Sequence, residues 1–180
     1  MAAIIHLTLL TALLAADAGA PATSTRHDVE AALNKNPSPT ELHRLAETAE
    51  PTLIAIAGDR AASPAARGRS LAALAYARSG RAHTFLENFI IKTTPSRDPG
   101  DRVLLRRAAM ELGWQSGPRL PEVLAPLLDN DDREVRLDAA AALGLGRAHD
   151  AERPLRARLE VETDPAVRHE IEAALKTIAK

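Results

Sequence analysis

The residue types that most readily do chemistry in this chain are its histidines and carboxylates, and His169-Glu170 is the sharpest candidate pair. A di-iron centre or a similar metal site needs His and carboxylate ligands that converge from more than one helix. The chain has no cysteine, which excludes thiolate metal sites, disulfides and cysteine nucleophiles. Neither a His-x-x-x-His nor a His-Glu-x-x-His spacing occurs among His27, His43, His83 and His149. We therefore predict no metal site.

Other motifs that would indicate catalysis or ligand binding have simpler interpretations. The acidic run from Asp129 to Asp132 lacks the spaced ligands, the turn glycine and the terminal Glu of a calcium loop, so we interpret it as a solvated turn. Gly144-Leu145-Gly146 follows a helical pattern and fits a helix C-terminus better than a phosphate-binding loop. The chain also has no Gly-x-Ser-x-Gly elbow. We predict a non-catalytic protein without a cofactor.

An internal repeat is the strongest pattern in the chain. The segment from Asp132 to Arg136 recurs 32 residues later as Asp164 to Arg168. The flanking residues also align, with Val123 and Leu127 on Leu155 and Leu159, and with Ala142-Leu143 on Ala174-Leu175. Self-similarity at this period indicates a stacked repeat protein. Equivalent leucines of the successive repeats are Leu74, Leu112, Leu143 and Leu175.

Composition and helix signals predict an all-α fold. Hydrophobic residues make up 46% of the chain but aromatic residues only 2%, so the core must consist mainly of Ala, Leu, Ile and Val. Ser38, Pro39 and Glu41 form the pattern of a capping box with proline at the first helical position. Asp132 and Asp164 are predicted helix caps, while Pro51 is predicted to open a separate helix that Gly58 ends. The sequence thus predicts ten helices in five antiparallel pairs.

At these residues the chain resembles HEAT repeats, in the short form also seen in phycobilisome-lyase-type proteins. The resemblance implies a right-handed α-solenoid over residues 26–180, with its clearest repeats at 119–147 and 148–180. In deoxyhypusine hydroxylase, which also resembles a HEAT solenoid, the second helix of each pair carries His-Glu ligands for two irons. The slots that correspond to His169-Glu170 here are Gly68-Arg69, Arg106-Arg107 and Leu137-Asp138, so that activity is not expected. The residues that carry the resemblance are Leu124 to Leu128, Asp132 to Arg136, Ala139 to Gly144, Leu155, Leu159, Asp164 to Arg168 and Ala173 to Leu175.

The repeat register assigns roles to two groups of charged residues. We interpret Arg67, Arg136 and Arg168 as structural arginines that bond to acidic or carbonyl groups of an adjacent repeat, with Asp132 and Asp164 as candidate partners. The two positions after each such arginine should face the inner curve of the solenoid, where a partner would bind. These predicted partner-binding residues are Arg69, Arg106, Arg107, Asp138, His169 and Glu170.

The inner face changes sign along the chain. Residues 59–107 have ten Lys and Arg against four Asp and Glu, whereas residues 108–180 have ten against fourteen. The net charge of the whole chain is -1, which does not favour binding to nucleic acid or to an anionic membrane. We interpret the face as a whole as a surface that orients a protein or peptide of the opposite pattern, because a solenoid offers an extended concave surface. For any individual residue, the favoured interpretation is that its charge only keeps the helical stack soluble. The sequence leaves the oligomeric state open.

The N-terminal residues predict export. Residues 2–16 have no acidic or basic side chain apart from His6, and the small residues that follow resemble a signal-peptidase site. We interpret residues 1–18 as a signal peptide and residues 19–25 as a linker, which predicts a periplasmic or secreted protein with no stable membrane insertion after cleavage. A first solenoid helix or an uncleaved anchor is the alternative, and the protein would be cytoplasmic if residues 1–20 are not a signal. The predicted function is a protein-binding scaffold, and the alternative is a regulatory or accessory subunit of an enzyme system related to HEAT-type lyases or hydroxylases.

Overall fold

The computed structural model describes residues 25–180, and every regular element in that range is helical. The predicted all-α class is therefore confirmed. The predicted signal peptide and nearly all of the predicted linker lie outside the described residues. Short 3-10 segments at Ala125–Asp129 and His149–Ala151 precede the seventh and eighth helices. The α-helices of this range are α1 (Arg26–Asn34), α2 (Pro39–Gly58), α3 (Pro64–Leu74), α4 (Gly80–Thr93), α5 (Pro99–Gln115), α6 (Leu120–Leu124), α7 (Arg133–Leu145), α8 (Glu152–Val161) and α9 (Pro165–Ile178).

Polar side chains at the N-caps fix where most of these helices begin. The Ser38 hydroxyl accepts a hydrogen bond from the Glu41 backbone N–H, and the Glu41 carboxylate accepts one from the Ser38 backbone N–H, so the predicted capping box is confirmed. Asp132 and Asp164 cap α7 and α9, also as predicted. A carboxylate in this position satisfies free backbone N–H groups and favours the positive end of the helix dipole.

The predicted separate helix near Pro51 is confirmed as the second half of α2, which ends at Gly58. The span labelled α2, from Pro39 to Gly58, consists of two helices that meet at a kink at Ala49, whose φ of -140° and ψ of 25° are not helical. Proline has no N–H to donate, and its ring clashes with the carbonyl group one turn earlier. The backbone relieves this clash by a local distortion two residues before Pro51 and then resumes its helical path. The two halves of α2 thus serve two successive helix pairs.

The helices pack as neighbouring pairs stacked side by side. Within pairs, α2 contacts α3, α4 contacts α5, and α8 contacts α9. Between pairs, the second helices form a continuous row in which α3 contacts α5, α5 contacts α7, and α7 contacts α9. No pair is large enough to cover its own apolar face, so each depends on its neighbours for burial. This arrangement is that of a HEAT-like α-solenoid.

Glycine allows the second helices to come into direct backbone contact. We expected Gly144 to mark a helix C-terminus, but it lies inside α7, and Gly113 likewise lies inside α5. A Cβ atom on Gly113 would lie 2.7 Å from the Ala142 carbonyl oxygen, and one on Gly144 would lie 2.9 Å from the Ala174 Cα. These distances are too short for any side chain. The glycines are therefore required by the spacing between repeats rather than by helix termination.

The buried core is aliphatic, as the composition predicts. Leu74, Leu112 and Leu143 are fully buried at equivalent positions of α3, α5 and α7, while Leu175 of α9 is partly buried against the same core. Alanines fill the closest contacts, where Ala108, Ala139 and Ala142 are fully buried. The leucine register read from the sequence therefore places these side chains at the interfaces between repeats.

Candidate functional site

The three predicted structural arginines lie on the side of the second helices that faces the first helices. The Arg67 Nε donates to the Ala57 carbonyl oxygen at 3.2 Å. Arg168 donates from Nη1 to the carbonyl oxygens of Leu159 at 2.6 Å and of Glu162 at 2.9 Å. Each of these two arginines thus ties its own helix to the end of the preceding helix. Carbonyl groups at helix ends have no partner within the helix, so these hydrogen bonds satisfy them.

Arg136 makes the most extensive of these contacts, and its acidic partner is Glu162. The Arg136 guanidinium donates from Nε and Nη2 to the two Glu162 carboxylate oxygens, at 2.8 and 3.1 Å. It also donates to the Asn130 carbonyl oxygen at 2.9 Å. The prediction that Asp132 and Asp164 are the partners of these arginines is wrong. No recurring motif pointed to Glu162, because this residue lies in the loop after α8.

Asp132 and Asp164 instead accept hydrogen bonds from arginines in the first turn of the preceding second helix. Arg102 lies 3.4 Å from Asp132 and 2.7 Å from Asp131, and Arg133 lies 3.0 Å from Asp164. Each of these aspartates therefore caps its own helix and pairs with the preceding repeat. A single carboxylate can serve both contacts because it has two oxygens.

A groove of about 670 Å³ runs along the solvent-facing side of this row of second helices. Small residues of α3 form one wall, namely Pro64, Ala65 and Gly68. The opposite wall comes from α5 and α7, and it is both apolar and charged. The residues of that wall are Val103, Leu104, Arg106, Arg107, Met110, Glu111 and Trp114 of α5, with Asp138 and Leu145 of α7, while Arg69 joins from α3. We call this feature the α3–α5 groove.

The structure brings together four of the six predicted partner-binding residues. Arg69, Arg106, Arg107 and Asp138 all line the α3–α5 groove. His169 and Glu170 lie on α9, outside the groove, with His169 exposed and Glu170 partly exposed. The positions predicted to face the inner curve therefore coincide with the groove from α3 to α7, and the groove does not extend to α9.

The groove charges differ in how far they are already neutralised. Arg106 is held between repeats, because its Nε lies 2.7 Å from the Asp138 carboxylate and its Nη2 lies 3.3 Å from Glu134. Arg107 lies 2.8 Å from Glu111, one turn later on α5. Burial raises the pKa of Glu111 from 4.5 to about 7, against the opposing effect of Arg107. Near neutral pH Glu111 is thus only partly ionised, so it neutralises the charge of Arg107 only in part.

Exposed apolar side chains are the feature of the groove that the sequence reading missed. Five large apolar side chains are exposed in residues 25–180, and three of them line this groove: Val103 at 62%, Trp114 at 66% and Leu145 at 45%. Val103, Met110 and Trp114 recur on α5 at separations of seven and four residues, which places them on one helical face. That stripe lies on the side of α5 opposite the buried leucines. Apolar residues that recur on a helix face turned away from the core are the sequence feature that could have revealed this part of the groove.

A second, smaller cavity of about 270 Å³ lies beneath Arg67, between the end of α2 and α4. Its buried carboxylate, Asp101, already accepts hydrogen bonds from Arg60 at 2.7 Å and from Ser96 at 2.8 Å. The polar groups of this cavity therefore link α5 to the preceding repeat. Within residues 25–180, no three His, Asp or Glu side chains are grouped closely enough to hold a metal ion.

Comparison with known proteins identifies the repeat. Residues 96–176, which include α5 to α8 and most of α9, match the family model for HEAT repeats, so the resemblance predicted from the sequence is confirmed. A search of curated proteins found no match. The repeat assignment of residues 26–95, which lie outside the matched range, stays a prediction. None of the helices that the structure describes has both the length and the apolar character of a membrane span.

Proposed function

We propose that this chain, a HEAT-repeat protein, is a non-catalytic scaffold that binds a partner protein in the α3–α5 groove. The observation that carries the proposal is the concentration of exposed apolar surface there. Large apolar side chains that share one face of a protein and are rimmed by charges are typical of interaction sites. HEAT repeats commonly mediate protein–protein interaction, which supports the same assignment.

The composition of the groove agrees with what binding interfaces use. Trp114 offers a large ring at low entropic cost, and tryptophan is enriched among the residues that dominate binding energy. Arginines such as Arg69 and Arg107 can pair with carboxylates on a partner and fix its orientation. The rigid row of second helices holds these side chains in place, so a partner would find the surface already formed.

A photo-crosslinking experiment tests this proposal. A photoreactive amino acid replaces Val103 in the groove in one variant, and Ile91 of α4, which is 50% exposed outside the groove, in the control. We expect a discrete crosslinked protein from the Val103 position only, because the two sites have similar exposure but different surroundings. Adding Trp114→Glu should remove the crosslink while the helical circular-dichroism signal is kept. Equal products from both positions, or none from either, would refute the proposal.

The three predicted inner-face arginines are not equally suitable as substitution sites for a binding test. Replacing Arg69 or Arg107 by Glu alters the groove charge with little effect on packing between repeats. Replacing Arg106 would also break its ion pairs with Asp138 and Glu134, and would leave those two carboxylates close together. Variants of Arg106 would therefore confuse a loss of binding with a loss of stability.

We propose further that the protein is exported and meets its partner in the periplasm or outside the cell. The support is the apolar segment of residues 2–16 and the small residues that follow it. Mass spectrometry of the protein isolated from its native cells tests the location. An N-terminus at residue 19 is expected, and recovery of residues 1–16 in the mature protein would contradict export.

A further inference from the structure

Two arginines of the α3–α5 groove, Arg69 of α3 and Arg107 of α5, are not fully neutralised by neighbouring carboxylates. Arg69 donates only to the neutral Asn36 side chain, at 3.3 Å, and within residues 25–180 it forms no salt bridge of 4.0 Å or less with a carboxylate. Arg107 is paired with a Glu111 that is only partly ionised near neutral pH. Arg106, by contrast, is neutralised by two carboxylates. A ligand that enters the groove therefore meets two guanidinium groups with unused capacity for carboxylates.

The shape of the groove suits one helical or extended segment rather than a broad surface. Its wall on α3 is formed by Pro64, Ala65 and Gly68, whose small size leaves the groove wide. The apolar stripe of α5 runs from Val103 to Trp114, and at about 1.5 Å per helical residue it is roughly 16 Å long. Roughly three turns of an amphipathic helix would cover that length.

We propose that the occupant is an acidic amphipathic segment of a partner protein. Its apolar side chains lie against Trp114, and its carboxylates pair with Arg69 and Arg107. This inference rests on the proposed function and adds to it the chemical class of the ligand. The apolar wall supplies most of the binding energy, whereas the two arginines select against basic segments. A basic segment would place like charges together in a partly desolvated groove.

The test is a selection from a library of random peptides of about 12 residues, the length of three helical turns. The full chain is used as bait beside an Arg69→Glu/Arg107→Glu variant. The control variant, Arg78→Glu/Arg153→Glu, has the same net charge, and both of its arginines are exposed outside the groove. Selected peptides are then titrated into each protein. The chain has one tryptophan, so its emission reports directly on the environment of Trp114.

We expect the wild-type protein and the control to select peptides in which Asp or Glu accompanies large apolar residues. These peptides should shift the tryptophan emission to shorter wavelength as the ring leaves water. The groove variant should bind them at least about tenfold more weakly, because its new carboxylates repel theirs, and it should select Lys or Arg instead. Circular dichroism of both variants checks that they are folded. If the Arg69→Glu/Arg107→Glu variant is not folded, Arg69→Gln/Arg107→Gln takes its place.

Other outcomes separate the two proposals. Peptides that shift the tryptophan emission but show no excess of acidic residues, or that bind the groove variant equally well, would overturn the acidic class and leave the groove as the binding site. Selection of no peptide, or only of peptides that leave the tryptophan emission unchanged, would overturn both the ligand class and the proposed function.

Discussion

Glu162 is a buried carboxylate that pairs with two arginines, and its replacement by Gln tests how much these ion pairs stabilise the fold. The side chain is fully buried and lies 2.8 Å from both Arg136 and Arg158. It also accepts hydrogen bonds from the backbone N–H groups of Thr163 and Asp164, at 3.0 and 2.9 Å. Hydrogen bonding from Arg136, with smaller contributions from Asp164 N–H and Arg158, lowers the pKa of Glu162 from 4.5 to about 2, although burial acts in the opposite direction.

This shift in pKa sets the expected magnitude. One pKa unit corresponds to about 1.4 kcal/mol, so the ionised carboxylate of Glu162 contributes roughly 3 kcal/mol to the free energy of unfolding at neutral pH. Because the folded pKa lies below the unfolded one, this contribution is complete above pH 4.5 and is lost as the pH falls towards 2. Glu162→Gln keeps the shape of the side chain but removes the charge, and it leaves two guanidinium groups without their anion.

Urea denaturation at pH 7 and at pH 3 measures the effect. We expect Glu162→Gln to lower the free energy of unfolding by roughly 3 kcal/mol at pH 7 and by less than about half of that at pH 3. Glu160→Gln, at an exposed position two residues earlier near the end of α8, is the matched control and should change stability by less than about 0.5 kcal/mol. A loss below about 1 kcal/mol at pH 7, or a loss that does not depend on pH, would refute the buried ion-pair reasoning.

Three further predictions concern the groove and the interfaces between repeats. Glu111 has a raised pKa of about 7, so the wild-type free energy of unfolding should fall as the pH rises from 4.5 to 7. In urea titrations, Glu111→Gln should abolish this fall and be more stable than the wild type by up to roughly 3 kcal/mol at pH 8. Parallel pH profiles of the two proteins would contradict this prediction. Gly144→Ala should lower stability by about 1–3 kcal/mol because its Cβ would meet the Ala174 backbone, while Gly80→Ala, with open space around it, should be neutral or slightly stabilising in the same thermal melts. Leu143→Asp should abolish the helical circular-dichroism signal at 25 °C, since it puts a charge at a fully buried position, and a melt like that of the wild type would show that the register is wrong.

Much of the fold follows from the sequence because the determinants are local and recur. Asp132 and Asp164 cap helices through contacts within three residues, so their roles are readable from the chain itself. Leu143 and its equivalents follow from the repeat period. The partner of Arg136 was not predictable in this way, because Glu162 is 26 residues away and comes close only when the next repeat is stacked. Contacts that depend on stacking geometry leave no local pattern.

The candidate site was predicted in part for a similar reason. Counting along the second helices placed Arg69, Arg107 and Asp138 correctly on one face. The same counting included His169, which lies beyond the end of the groove, because a repeat pattern has no information about where a cavity stops. Trp114 was missed because it lies near the end of α5, beyond the repeat leucine Leu112 and outside the positions that the repeat pattern assigns to the inner face. Its exposure depends on the absence of a covering side chain from α3 or α7.

The glycine contacts divide the stack into parts of unequal cooperativity. Gly113 and Gly144 lock α5, α7 and α9 together backbone to backbone, whereas Gly68 of α3 has only an ordinary contact with the Leu104 side chain, at 3.6 Å. We therefore expect residues 99–178 to open as one unit in native-state hydrogen exchange, and α1 to α3 to open at lower free energy. The α3–α5 groove lies across the boundary between these two units. A ligand bound in the groove would contact both units and stabilise the N-terminal one. Its binding should therefore slow amide exchange in α1 and α2, which do not line the groove.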